Sequence, residues 1–230
     1  APCHSCYFCQ SGDYSMCDDL QQMRGTWAEY VRIPAALVRE TIFHMPDHMT
    51  HKTASLLEPL SCAVYGVYLS DIKLGDLVVV NGCGPIGLMM LRCAKLRGAK
   101  IIACDFTDLR LETAKRLGAD ITVDLKTVND QVEAVRELTP FGRGVDVAIE
   151  ATGVPEVWEK NIRMARKGGM VMEFGGCKPG TTITVDTKML HYSQITIKGV
   201  YHTTPRHVGI AFELLKRGEF PEELMVNKTF

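Results

Sequence analysis

Cysteine spacing is the first chemical signal in this sequence. Cys3, Cys6 and Cys9 are separated by two residues each, and Cys17 follows after seven more. Four thiolates this close suit tetrahedral coordination of zinc, and a shell of four cysteines is closed, so such an ion would be structural. It would tie down a loop that lacks a core of its own. His4 is a rival ligand, but it adjoins Cys3 and would strain the wrap. An iron–sulfur cluster is the chemical alternative; here the fourth cysteine is followed by Asp18, where the bacterial ferredoxin run has proline. A nucleic-acid-binding zinc module is opposed by Asp13, Asp18 and Asp19, which make the lobe acidic.

The second signal is Gly82-Cys83-Gly84-Pro85-Ile86-Gly87, of the form GxGxxG, with Asp105 placed 23 residues after Gly82. The loop follows an apolar run and opens a helical pattern, which is the setting a dinucleotide fingerprint requires. Gly82 would make the tight turn, Gly84 would admit the pyrophosphate to the backbone, and Gly87 would let helix and strand approach. The phosphates would lie on a helix N-terminus, whose free N–H groups favour negative charge. Asp105 would accept hydrogen bonds from the adenosine ribose hydroxyls and repel a 2′-phosphate, which favours NAD over NADP.

Alternating elements must position these residues. Apolar runs at Leu77–Val80, Lys100–Cys104, Ile121–Val123, Val145–Ile149, Met170–Phe174 and Thr196–Tyr201 read as strands. Helices are expected at 85–97 and 155–166, and on the faces set by Leu111, Ala114 and Leu117, by Val128, Val132, Val135 and Leu138, and by Val208, Ala211, Phe212 and Leu215. Strict alternation predicts right-handed crossovers and an α/β, doubly wound, six-stranded parallel sheet covered on both faces. The expected domains are 1–70, a partial substrate domain with the cysteine lobe; 71–217, the nucleotide-binding domain; and 218–230, the start of a return to the first.

Composition narrows the function. Of 230 residues, 46% are hydrophobic and 23% charged, enough for a real core. The net charge of −1 gives no basic field for nucleic acid or an anionic membrane surface. Apolar runs fall short of the roughly 18 residues a membrane span needs. Nine cysteines, an odd number with Cys83, Cys93 and Cys104 in apolar segments, argue against a secreted disulfide scaffold. No leader peptide is apparent, and a cytoplasmic setting is expected. His44, His48, His51, His191 and His207 lack ligand spacing, and the scattered methionines read as core filler.

The two motifs together resemble the zinc-dependent medium-chain dehydrogenases. The matching stretches are Cys3 to Gly12 with Cys17, Gly25-Thr-Trp-Ala-Glu-Tyr30, Leu57-Glu-Pro-Leu-Ser61, Gly82 to Gly87, and Glu150-Ala-Thr-Gly153. Leu57 to Ser61 looks closer to the sorbitol and threonine dehydrogenase branch than to the ethanol branch. The resemblance implies a Rossmann domain joined to part of a mostly β, GroES-like substrate domain. It implies hydride transfer from a secondary alcohol (a polyol, sugar or 3-hydroxy amino acid) to NAD, with a catalytic zinc held mostly by residues outside this sequence.

It further implies that Glu58 sits beside that zinc, as ligand or as a group orienting what the zinc binds. Pro85 and Ile86 would contact the cofactor, and Arg110 would reach toward the adenosine. Thr152, Phe174 and Gly175 would lie near the nicotinamide, and Tyr201, His202 and Thr203 would follow the sixth strand at the cofactor and substrate edge. A homo-oligomer, paired through the sixth-strand edge, is expected. Two rival readings remain: a nicotinamide-binding protein without catalysis, and a zinc-free quinone or enoyl reductase of the same superfamily, which Asp105 and the four cysteines oppose.

Overall fold

A computed structural model describes residues 1–26 and 28–226 of the chain. Trp27 of the Gly25–Tyr30 motif and residues 227–230 of the expected last segment lie outside the described residues. The elements run α1 (Tyr7–Gln10), α2 (Ala35–Thr41), α3 (His51–Ala54), α4 (Leu57–Leu69), β1 (Leu77–Asn81), α5 (Pro85–Leu96), β2 (Lys100–Asp105), α6 (Asp108–Arg116), β3 (Ile121–Asp124), α7 (Gln131–Glu137), β4 (Val145–Glu150), α8 (Pro155–Met164), β5 (Ala165–Glu173), α9 (Thr187–Tyr192), β6 (Thr196–Gly199), α10 (Pro205–Lys216) and α11 (Glu222–Met225). No helix among the described residues is long and apolar enough to cross a membrane.

The described residues divide into two compact units, Ala1–Tyr65 with Tyr201–Glu222, and Gly66–Val200 with the described residues after Glu222. The division falls inside α4 and again after β6, whereas the sequence suggested limits near 70 and 217. Among the described residues the first unit is built of helices and loops. Phe43 stacks on Phe212 of α10 at 4.7 Å, and the Ser15 hydroxyl lies 3.2 Å from the Tyr65 hydroxyl.

The second unit is a six-stranded sheet in the order β3-β2-β1-β4-β5-β6, every pair parallel. Val78, Val79 and Val80 of β1 have no exposed surface, as a central parallel strand with both faces covered requires. One face packs Val79, Ile102 and Ala148 of the strands against Val132 and Val135 of α7 and Met164 of α8. Asp130 caps α7 by accepting from the N–H groups of Val132 and Glu133.

A row of side-chain amides crosses this core. Gln131 Nε2 donates to Asn81 Oδ1, Asn81 Nδ2 to Asn161 Oδ1, both at 2.7 Å, and Asn161 Nδ2 to the Ala148 carbonyl at 3.2 Å.

Some elements differ from the sequence reading. The helix expected over 155–166 stops at Met164, and β5 begins at Ala165, five residues before the expected start at Met170. Arg166, Lys167, Gly168 and Gly169 carry no strand pattern, and the pairing with β4 shifts register between Val145 and Val147. Strand β6 ends at Gly199 rather than Tyr201, and α9, capped by Asp186, was not foreseen.

Candidate functional site

The glycine loop is built as its spacing requires. Gly82 has φ +92°, a left-handed conformation that glycine adopts without strain. A Cβ on Gly87 would stand 1.8 Å from the Gly82 carbonyl oxygen, so only glycine lets α5 start this close to the loop. Gly84 is the N-cap of α5, and a Cβ there would meet nothing within 4 Å. Open space thus lies over the backbone at the point where free N–H groups begin the helix, and Pro85 occupies the first helical position, where a missing N–H costs nothing. Gly84 and Pro85 therefore leave a cradle that fits a pyrophosphate, while Ile86 is half-buried beside them.

Asp105 ends β2 and is 6% exposed. One carboxylate oxygen accepts from the Cys83 N–H and the other from the Thr107 N–H, both at 2.8 Å. The side chain therefore braces the glycine loop. A carboxylate offers about four acceptor positions, so it keeps capacity for a ligand's hydroxyls. Arg110 Nη1 lies 3.6 Å from Asp105 and is about half exposed.

The carboxyl ends of β4 and β5 form the adjoining rim, where open α/β sheets bind ligands. Glu150 accepts from the N–H of Thr152 at 2.6 Å and of Gly153 at 3.1 Å, and from the Thr152 hydroxyl. The Glu150 carbonyl accepts from the N–H groups of Phe174 and Gly175, each at 3.1 Å. A Cβ on Gly175 would stand 2.2 Å from the Gly153 nitrogen, so the two loops touch backbone to backbone. Thr152 is exposed, and Phe174 and Gly175 are half-buried. Glu150 thus organises the rim, a part its sequence motif did not announce.

Glu173, its register partner on β5, is 2% exposed, and neither of its oxygens meets a hydrogen-bond partner among the described residues. Burial, and then the charge of Glu150, push the Glu173 carboxyl up to about 8.

In the first unit the four cysteines of the lobe converge. The four sulfurs lie within 4.8 Å of one another, and Cys3 Sγ is 4.0 Å from Cys9 Sγ. Four Zn–S bonds of about 2.3 Å in a tetrahedron put the sulfurs about 3.8 Å apart. The sulfurs also accept N–H donors: Cys6 N to Cys3 Sγ at 3.3 Å and Cys3 N to Cys17 Sγ at 3.2 Å. The Ser5 hydroxyl, with the backbone N–H groups of Ser5 and Cys6, lowers the Cys3 thiol to about 6, while burial pushes Cys9 up to about 12. The donor set fits zinc. His4 turns away, its Nε2 lying 2.7 Å from Glu40.

Glu58 stands in the first turn of α4 and is exposed. Cys62, one turn on, places its Sγ 3.6 Å from Glu58 Oε1. His202 brings a ring nitrogen into the same cluster, all three ligand atoms lying within 4.8 Å. Sequence reasoning named Glu58 and His202 and passed over Cys62, although its i,i+4 spacing from Glu58 was the available signal. Tyr201 is 66% exposed, and Thr203 is buried.

Residues 85–217 match the family model described as zinc-binding dehydrogenase. The D-arabitol-phosphate dehydrogenase of Enterococcus avium is 32% identical over 99% of this chain and 65% of its own length. The L-threonine 3-dehydrogenase of Bacillus velezensis is 34% identical over 86% of this chain and 56% of its own. A zinc-binding dehydrogenase structure from Sinorhizobium meliloti 1021, bound to NADP, superimposes with a TM-score of 0.87 at 27% identity, covering 100% of this chain and 72% of that one. The chain therefore spans roughly two thirds or less of these two curated relatives.

Proposed function

Because this chain belongs to the zinc-binding dehydrogenase family, we infer that it carries the nicotinamide-binding part and the zinc lobe of an alcohol oxidoreductase. Its substrates are secondary alcohols: polyols, sugars or 3-hydroxy amino acids. The observation that carries this reading is the glycine loop, with open backbone at Gly84, the packed contact of Gly87 on Gly82, and Asp105 bracing both.

When bound, the nicotinamide supplies the hydride acceptor, whose chemistry is the cofactor's own. Gly84 and the start of α5 hold the pyrophosphate. Asp105 takes the adenosine ribose hydroxyls, and its charge selects NAD against a 2′-phosphate. Arg110 lies along the adenosine. Thr152, Phe174 and Gly175 form the edge against which the nicotinamide ring is oriented, and Tyr201 is a further proposed cofactor contact. His202 and Thr203 face the alcohol. Glu58 faces a catalytic zinc whose remaining ligands lie outside this sequence, and the Cys3–Cys17 lobe binds a second, structural zinc. The setting is the cytoplasm. The domains 1–70, 71–217 and 218–230 are the proposed division of labour, and β6 pairs two copies edge to edge.

Two measurements test the reading: fluorescence titration of the chain with NADH, and turnover of the full-length protein with NAD across polyols, sugars and amino acids. Glu58→Ala should lower turnover about 10–100-fold, the range for loss of support around a metal, while NAD affinity holds. Failure to bind NADH, or turnover in Glu58→Ala equal to wild type, would overturn the corresponding assignment.

A further inference from the structure

The parallel strands β4, β5 and β6 all start on one edge of the sheet, whereas the glycine loop, Asp105 and the Glu150 rim lie at the carboxyl ends, on the other. At the amino edge a cavity of about 400 Å³ is lined by Arg136, Arg143, Arg166 and Lys167. Four cations thus converge in a chain whose net charge is −1, and no carboxylate is among the residues lining the cavity. Three segments supply them. Arg136 lies in the last turn of α7, Arg143 just before β4, and Arg166 and Lys167 at the start of β5. From Val145 to Val147 the ladder advances two residues on β4 but runs from Ala165 to Met170 on β5, so Arg166 to Gly169 loop out of the pairing. Irregularities of this kind re-aim side chains and are common beside functional sites. Gly144, at φ +97°, packs so close to the Met164 carbonyl oxygen that a Cβ would stand 2.5 Å from it, which sets Arg143 against the start of β5.

Two of the four cations are already engaged. Arg136 complements the carboxyl end of α7 and donates to the Arg163 carbonyl at 3.1 Å. Arg166 Nε lies 2.5 Å from Asp146. Arg143 and Lys167 belong to no helix, are exposed, and make no salt bridge among the described residues. Their charges are therefore available to a ligand. The remaining wall is apolar: Ala165 and Ile195 are buried and Met189 is half-buried. The volume falls within the roughly 300–1,000 Å³ of small-molecule sites. A guanidinium offers parallel N–H donors to phosphoryl oxygens, and an ammonium adds a point charge. A nucleic acid or an anionic membrane would call for a basic field spread over a surface, whereas here the cations are gathered round one cavity.

We propose that Arg143 and Lys167, supported by Arg136 and Arg166, bind the phosphoryl group of a small organic phosphate whose carbon body rests on Ala165, Met189 and Ile195. The site lies at the opposite strand ends from the glycine loop, so its ligand and a dinucleotide do not compete for the same groups.

The test is calorimetric titration of the full-length protein with phenyl phosphate, in saturating NADH and at fixed ionic strength, with phenol as the uncharged control. Wild type should bind one equivalent of phenyl phosphate and no phenol. Arg143→Gln and Lys167→Gln should each weaken binding at least about tenfold, the cost of losing a hydrogen bond to a charged group, and the double variant should abolish it. Both side chains are exposed, so the substitutions spare the core, and an unchanged unfolding midpoint shows that each variant has folded. Absence of binding at millimolar phenyl phosphate, equal binding of phenol, or binding that survives in the double variant overturns the proposal. So does a response to a long polyanion such as heparin without one to phenyl phosphate, which would mark a surface patch instead. NADH affinity is titrated separately: its failure would sink the oxidoreductase reading alone, and its persistence in all three variants is expected.

Discussion

Glu150 and Glu173 are register partners on adjacent strands, both shut off from solvent, and Glu150 holds nearly all the hydrogen-bond donors. Two buried anions side by side are costly, so one carries a proton. The Thr152 and Gly153 donors favour the ionised form of Glu150, which leaves the proton on Glu173.

A pH dependence follows. An acid raised from about 4.5 to about 8 on folding binds its proton more tightly in the native state. Stability should therefore fall as pH rises between those values and level off above. Glu173→Gln should abolish that slope and raise stability at pH 9. Urea denaturation at pH 6 and pH 9 measures both; an unchanged slope in the variant would refute the assignment of the proton.

Asp105 should set cofactor choice. Asp105→Asn removes the charge and keeps an acceptor for the Cys83 or Thr107 N–H. A hydrogen bond to a charged group is worth about 1.5–3 kcal/mol, so the NAD-to-NADP affinity ratio should fall at least about tenfold. Titration with both reduced cofactors measures it, and an unchanged ratio would mean that another residue selects the cofactor.

Gly87→Ala should damage the loop from beneath. The added methyl would sit 1.8 Å from the Gly82 oxygen, and both atoms belong to rigid backbone. Overpacking of this kind costs about 1–3 kcal/mol. The expected result is a lower unfolding midpoint together with weaker NADH binding; a variant that matches wild type in both would contradict the contact.

Cys9→Ser should release the lobe metal. Elemental analysis is expected to find zinc in wild type and its loss in the variant, with NADH binding retained because the glycine loop belongs to the other compact unit. Iron in the purified protein, or full metal content in Cys9→Ser, would count against a four-cysteine zinc.

Strand β6 should mediate self-association. Among the described residues it is the last strand of the sheet and pairs only with β5, and Thr196, Lys198 and Gly199 are exposed. An uncovered edge invites pairing, against which Lys198 works. Sedimentation at micromolar concentration should find a dimer or larger species, and a monomer there would rule out this edge for the chain.

Much of this was legible in the sequence. The strands bearing Asn81, Asp105 and Glu150 were located to within a residue at their carboxyl ends, because short apolar runs there meet glycine or polar breaks. Helix α4 was not, since Leu57 to Leu69 is so evenly apolar that no helical period stands out. The start of β5 was hidden by Arg166 to Gly169, which read as a turn. The site divides in the same way. Gly82, Gly84, Gly87 and the four cysteines announce themselves by local spacing. The pairing of Glu150 with Glu173 depends on sheet register, and that of Glu58 with His202 on chain return, and neither is a local property.

The row of amides through the core has a direction. Gln131 donates to Asn81, Asn81 to Asn161, and Asn161 to the Ala148 carbonyl. A backbone carbonyl can only accept, so the last link fixes the sense of the whole row: turning any single amide over would set oxygen against oxygen or nitrogen against nitrogen. None of its members gains or loses a proton in the working pH range. The row is therefore a one-way, charge-silent clasp of α7 and α8 on β1 and β4, indifferent to the acidity that governs the carboxyl pair at the ends of β4 and β5.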